Sequence, residues 1–259
     1  MVSGGIGPIW LCACEAVAIA LAGVGCGGGA PLLHPAHVLR PGFVTMGAGL
    51  SGELSLRTPA ATPSEPAGGQ SLASLEEVAV APGVAPWIAA RAGIAGSNEA
   101  GLTYTGLRVR VDARHAFTLD GPTLSVGLGG NLVLPERPGA NAAVNSVTGG
   151  GADLPILLGW TSQNEIYSLW VGPRGGFELL RGVVLAAPLG VGMPEALLDV
   201  DARHFFVGAV LGIRIGFRHV HVAFELDGAF HHAEGALGVT ESSLNQATLT
   251  PSGALLLTF

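Results

Sequence analysis

The 259-residue sequence predicts an all-β fold: an antiparallel, up-and-down transmembrane barrel of about ten strands, with eight to twelve compatible with the pattern. Three observations predict it. Hydrophobic residues form 49% of the chain and charged residues only 12%, about half the usual charged share. Glycine occurs 41 times, without the period of three that collagen requires. Beyond about Arg40, apolar residues alternate with small or polar ones, which is the period of a β-strand.

The alternation is clearest in residues 107–117. Val111 and Phe117 belong to an apolar face there, whereas Arg110 and Asp112 belong to the opposite, charged face. The same alternation recurs in residues 44–56, 124–134 and 220–231. The polar faces are mostly Gly, Ser, Thr and Ala, which suit a narrow interior, and the Leu- and Val-rich faces suit lipid. A soluble sandwich is expected to carry many more large charged residues on its polar face.

The order of the connections predicts an orientation. We predict strands at residues 42–57, 78–94, 99–105, 107–117, 123–134, 151–160, 166–180, 203–217, 220–231 and 247–259. Long connections follow the first, fifth, seventh and ninth strands, at residues 59–76, 135–150, 182–201 and 232–245. Short ones follow the second, fourth, sixth and eighth strands, and the third connection is also short. Bacterial barrels place short turns in the periplasm and longer loops outside, so both ends of the barrel domain are predicted to be periplasmic.

Aromatic residues test this orientation independently. With the faces assigned above, five outward aromatics fall at the short-turn ends of their strands: Phe117, Trp160, Tyr167, Phe217 and Phe259. Three others fall near the opposite ends: Tyr104, Phe205 and Phe230. Two aromatic girdles are typical of a barrel anchored at both membrane interfaces.

The C-terminal segment carries a family resemblance. Residues 253–259 read GALLLTF, with apolar residues at every second position back from a terminal Phe. This pattern resembles the C-terminal β-signal of Gram-negative outer-membrane proteins. The resemblance implies that Leu255, Leu257 and Phe259 form a membrane-insertion signal read by the barrel-insertion machinery. Residues 89–104 also look like a hairpin common in outer-membrane barrel families.

The N-terminal segment resembles an export signal. Residues 9–25 are apolar apart from Glu15, and Cys26 follows small residues. This arrangement resembles the lipobox of bacterial lipoproteins, which implies a signal peptide at 1–25 and lipidation of Cys26. It further implies a periplasmic tether at 26–40, followed by the barrel at 41–259. Cleavage without lipidation, or an uncleaved anchor, remain open alternatives.

Twelve charged residues are predicted to face the lumen, and their charges balance. They are Glu53, Arg91, Arg108, Arg110, Asp112, Arg114, Asp153, Arg174, Glu178, Arg214, Glu225 and Asp227. A barrel of about ten strands has a narrow lumen, and buried charges have to be paired. We therefore expect a network that fills and rigidifies the lumen. A small selective pore lined by Arg108, Arg110 and Arg114 is the alternative.

No cofactor, metal site or catalytic residue is predicted. The 12 basic residues, all Arg, face 19 acidic ones and form no basic run, which argues against nucleic acid as a partner. The cysteines are confined to positions 12, 14 and 26, which leaves the barrel region without a thiol. His219 and His221 form a His-x-His pair, and His231 shares the inward face with His221. A zinc site would need three ligands close together, and His219 is predicted to lie in a turn, so we do not predict one.

These features predict a small, monomeric outer-membrane barrel of a Gram-negative cell, in contact with outer-membrane lipid. Its expected role is structural, adhesive or narrow-pore transport, and we do not expect an enzyme. One alternative is a lipid-modifying hydrolase built from His231, Glu225 and Ser242 or Ser243. The other is a lipid-tethered soluble barrel that carries an apolar ligand.

Overall fold

The computed structural model describes residues 28–56, 74–135, 146–186, 196–238 and 240–259. Ten strands run through these ranges: β1 (Val44–Leu56), β2 (Gly83–Ile94), β3 (Asn98–Tyr104), β4 (Arg108–Thr118), β5 (Thr123–Val133), β6 (Thr148–Thr161), β7 (Tyr167–Ala186), β8 (Ala196–Phe217), β9 (Val220–Leu237) and β10 (Thr240–Thr258). Each strand pairs antiparallel with its sequence neighbours, and β1 pairs with β10. The prediction of a closed, up-and-down barrel of about ten strands is confirmed.

Strand alternation separates an apolar exterior from a charged interior. On β4, Val111 and Phe117 are exposed, whereas Arg110, Asp112 and Arg114 are buried. The exposed large hydrophobic residues are spread over all ten strands. Burial is therefore inverted relative to a soluble protein, whose apolar residues lie inside.

The apolar exterior has the height of a membrane. On β8, the exposed Phe205 and Phe217 are twelve residues apart. At about 3.4 Å per residue and a tilt of about 40°, this spacing is roughly 30 Å along the barrel axis. Between the two aromatic levels, the outward side chains of the described strands carry no formal charge, whereas Arg203 lies just beyond Phe205. A band of roughly 30 Å matches the hydrocarbon core of a bilayer.

The aromatic residues lie at the two heights predicted. The five expected at the short-turn ends, Phe117, Trp160, Tyr167, Phe217 and Phe259, are all exposed there. Phe205 and Phe230 are exposed toward the opposite end, and Tyr104 is half-buried. Phe177 joins the upper level as the cross-strand partner of Phe205.

Two predicted long connections are wrong, because strands occupy them. β7 and β8 continue into the range 182–201, and β9 and β10 continue through most of 232–245. These additions form an extension of the barrel beyond the upper aromatic level. In it, residues 240–246 of β10 pair with β9, while the β1 pairing ends at Leu56. The short turns lie where predicted, at the opposite end of the barrel.

The start of the second strand also differs from the prediction. Residues 74–79 form a helix, α1, and β2 begins only at Gly83. Leu75 and Ala79 are fully buried against inward apolar residues of the extension, including Leu180 and Leu237. Burial of this apolar stripe favours a helix where the sequence predicts the end of a connection and the first residues of a strand. Among the described residues, no helix is long and apolar enough to cross a membrane.

Candidate functional site in the barrel lumen

All twelve predicted lumen charges point into the barrel. Eleven of them are buried, and the Arg108 side chain is 13% exposed. Glycines make room for the larger side chains. A Cβ on Gly129 would lie 2.6 Å from the Arg110 guanidinium, and one on Gly101 would lie 2.6 Å from that of Arg91. The small residues of the inward faces therefore accommodate arginines within a narrow ring.

The central feature of the lumen is a ladder of alternating charges whose members lie on six strands. Its members, in order of contact, are Arg114, Glu99, Arg91, Asp112, Arg110, Asp153, Arg174 and Asp227. Arg110 lies 2.6 Å from Asp112 and 2.8 Å from Asp153, and Arg174 lies 3.0 Å from the other oxygen of Asp153. Each internal member contacts two opposite charges, which is the arrangement that offsets the desolvation of buried ions.

Glu99 is a ladder member that the sequence analysis missed. Its carboxylate accepts hydrogen bonds from Arg114 and Arg91, and it is 1% exposed. Glu99 has the same parity on β3 as the inward Gly101 and Thr103. That parity, together with the outward assignment of Tyr104, is the available signal; Glu99 is absent from the predicted lumen charges although it is the first residue of the predicted strand.

The N-terminal segment at residues 28–39 runs through the lumen. At one end, the Gly28 amide donates to the Ala81 carbonyl (2.9 Å), in the connection that precedes β2. At the other end, the Arg40 guanidinium contacts Glu165 (2.8 Å), in the short turn between β6 and β7. The segment therefore runs from the long-connection end of the barrel to the short-turn end and then enters β1.

Charged lumen side chains bind the main chain of this segment. The carboxylate of Glu225 accepts hydrogen bonds from the backbone amides of Leu32 (2.6 Å) and Leu33 (2.9 Å). Arg174 donates to the Ala30 carbonyl (2.6 Å). These contacts take the place of strand pairing for the peptide groups of Ala30, Leu32 and Leu33, which would otherwise be buried without a partner.

The lower half of the segment is held in the same manner. Arg114 donates to the carbonyl of Pro35 and to that of His37, at 3.2 Å for the latter. The Leu39 amide donates to Glu99 (2.8 Å). Members of the charge ladder therefore form ion pairs with one another and also hydrogen bonds to the segment that crosses the lumen.

Apolar packing also holds residues 28–39, which we call the plug, inside the barrel. Leu32, Leu33 and Ala36 form one buried cluster with inward residues of the wall, among them Trp87 and Trp170. The Trp170 side chain is fully buried, and its indole N–H donates to Glu225 (3.0 Å). Protein atoms therefore occupy most of the lumen at the level of this cluster.

The predicted tether at 26–40 is corrected by this arrangement. Residues 28–39 lie inside the barrel and do not form a linker outside it. Pro31 and Pro35 lack an amide hydrogen, and the segment does not alternate, so its sequence resembles a linker. The predicted signal peptide at 1–25 and the lipidation at Cys26 lie outside the described residues and stay predictions.

The predicted insertion signal lies on the closing strand. Leu255, Leu257 and Phe259 are exposed on the outer face. Leu255 and Leu257 are paired with Ala48 and Met46 of β1. Their position at the seam, facing outward, leaves the side chains accessible.

In the upper lumen, two inward histidines, His204 and His231, link Glu178 on β7 to Thr248 on β10. His204 Nδ1 lies 3.1 Å from Glu178, and its Nε2 lies 2.9 Å from His231 Nδ1. The opposite nitrogen of His231 lies 2.9 Å from the Thr248 hydroxyl. The two imidazole rings are stacked, with centroids 5.1 Å apart. This chain extends the ion pair between Glu178 and Arg108 (3.3 Å) across three further side chains.

The His-x-His pair is not assembled into a ligand set. His219 lies exposed in the turn before β9 and contacts the Thr258 carbonyl, whereas His221 is buried in the lumen. In the part of the chain that the structure describes, no group of three or more His, Cys, Asp or Glu side chains could hold a metal ion. The residues of the hydrolase alternative are also apart, since His231 and Glu225 are six positions, or roughly 20 Å, apart along β9.

Together, fold and lumen define a closed β-barrel whose interior is occupied by its own N-terminal segment. No family model and no curated protein sequence matches the chain. Similar solved structures include the crystal structure of Neisserial surface protein A (NspA), at 10% identity and TM-score 0.32, over 84% of this chain and 96% of that one. They also include the translocator domain of autotransporter NalP from Neisseria meningitidis, at 10% identity and TM-score 0.30, over 84% and 88%.

Proposed function

We propose that the protein is an integral outer-membrane barrel of a Gram-negative cell, sealed and monomeric, which serves a structural or adhesive role at the cell surface. The observation that carries the proposal is the path of residues 28–39, which run through the lumen from one end to the other. A barrel with this interior anchors and presents surface elements and does not conduct solutes.

The outer face supports the membrane location. Its uncharged band is roughly 30 Å high, and aromatic residues mark both edges. On β7 and β8, charged outward residues begin beyond the upper aromatics, as in the exposed pair Arg181 and Asp201. An ordinary soluble barrel has no reason to keep charge off a band of this height.

The orientation follows from the connections. Bacterial barrels keep their short turns in the periplasm, which puts the extension of β7–β10 outside the cell. Gly28 then lies at the external mouth of the lumen. The presented surface is the extension, with exposed residues such as Glu234 and Ser243, together with α1 beneath it.

The filled lumen favours this role over the alternatives. Arg108, Arg110 and Arg114 would line the alternative pore, but all three form ion pairs with carboxylates. A carrier of apolar ligands needs an apolar cavity, whereas this lumen holds the charge ladder and the segment. The hydrolase alternative needs His231 next to Glu225 and to Ser242 or Ser243, and His231 instead contacts His204, Thr248 and Glu53.

A conductance measurement tests the sealed state. We expect the folded full-length protein to give no steady current steps in a planar lipid bilayer. Its heat-modifiable migration on a gel shows that the inserted material is folded. Regular single-channel steps from folded protein would contradict the proposal and support the pore.

Surface labelling tests the orientation. Ser243→Cys places a thiol on the extension, and Asn164→Cys places one in a short turn; both positions are exposed. With a membrane-impermeant maleimide on intact cells, we expect Ser243→Cys to label above the wild-type background and Asn164→Cys to label only after lysis. The wild type corrects for the three native cysteines. The reverse pattern would overturn the orientation.

A further inference from the structure

A cross-strand row in the upper lumen contains carboxylate oxygens that the ion-pair network does not satisfy. Thr250 on β10 pairs directly with Asp227 on β9, and its hydroxyl donates to Glu53 Oε2 on β1 (2.6 Å). Glu53 is 5% exposed and Asp227 is 8% exposed. Glu53 Oε1 and Asp227 Oδ1 are buried without a hydrogen-bond partner in the described structure.

The two carboxylates lack the close arginine contacts that Glu99, Asp112 and Asp153 make. Within the described residues, no arginine lies at ion-pair distance from Glu53, and its nearest basic atom is His231 Nε2 at 3.7 Å. Asp227 has one long contact, at 3.4 Å, with Arg174, which Asp153 contacts more closely at 3.0 Å. Such buried, underpaired carboxylates are costly unless another positive charge compensates them.

Glu53 and Asp227 line the same cavity as Gly29 and Ala30, the first residues of the plug. The cavity has an empty volume of about 490 Å³, counting the solvent space into which it opens, and its lining includes Glu53, Asp227, Thr250, Gly29 and Ala30. Two arginines and three carboxylates line it, which gives a formal charge of −1. A Cβ on Gly29 would come within 2.9 Å of the Thr250 hydroxyl, so the plug backbone lies directly against the row.

We propose that the row Glu53–Thr250–Asp227 binds one divalent cation of the calcium type. Carboxylate and hydroxyl oxygens are hard donors of the kind that Ca²⁺ prefers, and Ca²⁺ accepts six to eight oxygens in flexible geometry. Waters complete the shell, because the row supplies only two carboxylates and the carbonyls of Gly29 and Ala30 already accept hydrogen bonds from Ser51 and Arg174. The cation pairs with the two underpaired carboxylates and joins β1, β10 and β9 beside the plug.

Calcium-dependent unfolding of the full chain tests the proposal. The detergent-folded protein is depleted with EDTA, and its thermal midpoint is followed by gel migration as Ca²⁺ is added. Binding at about 100 times the dissociation constant is expected to raise the midpoint by roughly 5–10 °C for a chain of this size. Equilibrium dialysis is expected to give one Ca²⁺ per chain.

Variants locate the response. We expect Glu53→Gln and Asp227→Asn each to weaken the apparent calcium affinity at least tenfold, whereas Glu234→Gln, an exposed change on β9, leaves it unchanged. Thr250→Val supplies a third test if a carboxylate variant fails to fold. A wild-type protein that does not respond to Ca²⁺ would overturn the proposal and assign the free oxygens to water or protons. A response that survives in the Glu53→Gln/Asp227→Asn double variant would also overturn it.

Discussion

Glu225 holds the plug through two backbone amides, and its removal has a calculable cost. In Glu225→Ala, the amides of Leu32 and Leu33 and the indole N–H of Trp170 lose their common acceptor. Each buried donor left without a partner costs about 1–2 kcal/mol, so three of them give a loss of roughly 3–6 kcal/mol in unfolding free energy. Glu225→Gln keeps one accepting oxygen, and we expect it to lose about 1–3 kcal/mol.

Urea unfolding of the barrel in detergent measures this loss. Tryptophan fluorescence reports directly on the contact, since Trp170 is both fully buried and a donor to Glu225. Limited proteolysis under native conditions gives a second measure, because a loosened plug exposes the peptide bonds of residues 28–39. We expect the alanine variant to be cleaved in this segment before the barrel unfolds.

A change on the same strand controls for unspecific effects. Glu234→Ala removes a carboxylate from β9 that is 66% exposed and contacts the His232 ring, and we expect a change within about 0.5 kcal/mol. If Glu225→Ala also changes the unfolding free energy by less than 0.5 kcal/mol, the carboxylate does not hold the plug. That result would refute the proposed role of Glu225 in holding residues 28–39 inside the lumen.

Four further predictions concern the ladder, the packing, the exterior and the seam. Arg110→Ala leaves two buried carboxylates short of a partner and should cost about 3 kcal/mol in urea unfolding, against less than about 1 kcal/mol for Arg181→Ala in an exposed pair. Gly212→Ala places a methyl group into the Trp170 ring and should cost about 1–3 kcal/mol, whereas Gly228→Ala, with its nearest atom 4.0 Å away, should be nearly neutral. Leu211→Arg at the middle of the outer band should cost about 2–4 kcal/mol when folding is measured in lipid vesicles, whereas Leu197→Arg on the extension should cost less than about 1 kcal/mol. Phe259→Ala should lower the heat-modifiable fraction in outer membranes more than Phe217→Ala, if the terminal residue is read as a signal; equal losses would reduce Phe259 to a girdle residue.

The parts of the structure that follow from strand parity could be predicted from the sequence. Alternation fixes which way each side chain points, so a segment such as residues 107–117 assigns Arg110 and Asp112 to the interior without knowledge of any partner. The strand number and the two aromatic levels follow from the same rule. The partners within the ladder could not be predicted, because they depend on the register between strands.

The features that parity could not predict depend on contacts between distant segments. Residues 28–39 have no periodic pattern, and only the surrounding Arg114, Arg174 and Glu225 explain why they adopt one path. The helix α1 and the added length of β7–β10 stabilise each other through one apolar cluster. The extension contains Gly and polar residues that are typical of loops, so the sequence predicts loops there, and it predicts the end of a loop and the start of a strand at α1.

The hydrogen bonds of Glu225 also have a consequence for local opening. Outside strands and helices, backbone amides usually exchange their hydrogens with solvent through small fluctuations. The amides of Leu32 and Leu33 belong to no regular element. Their acceptor Glu225 and the residues packed around them belong to the barrel wall, so solvent reaches these amides only when the wall opens. Their exchange should therefore be as slow as that of the central strands, so that a stretch of irregular backbone reports the global stability of the whole barrel.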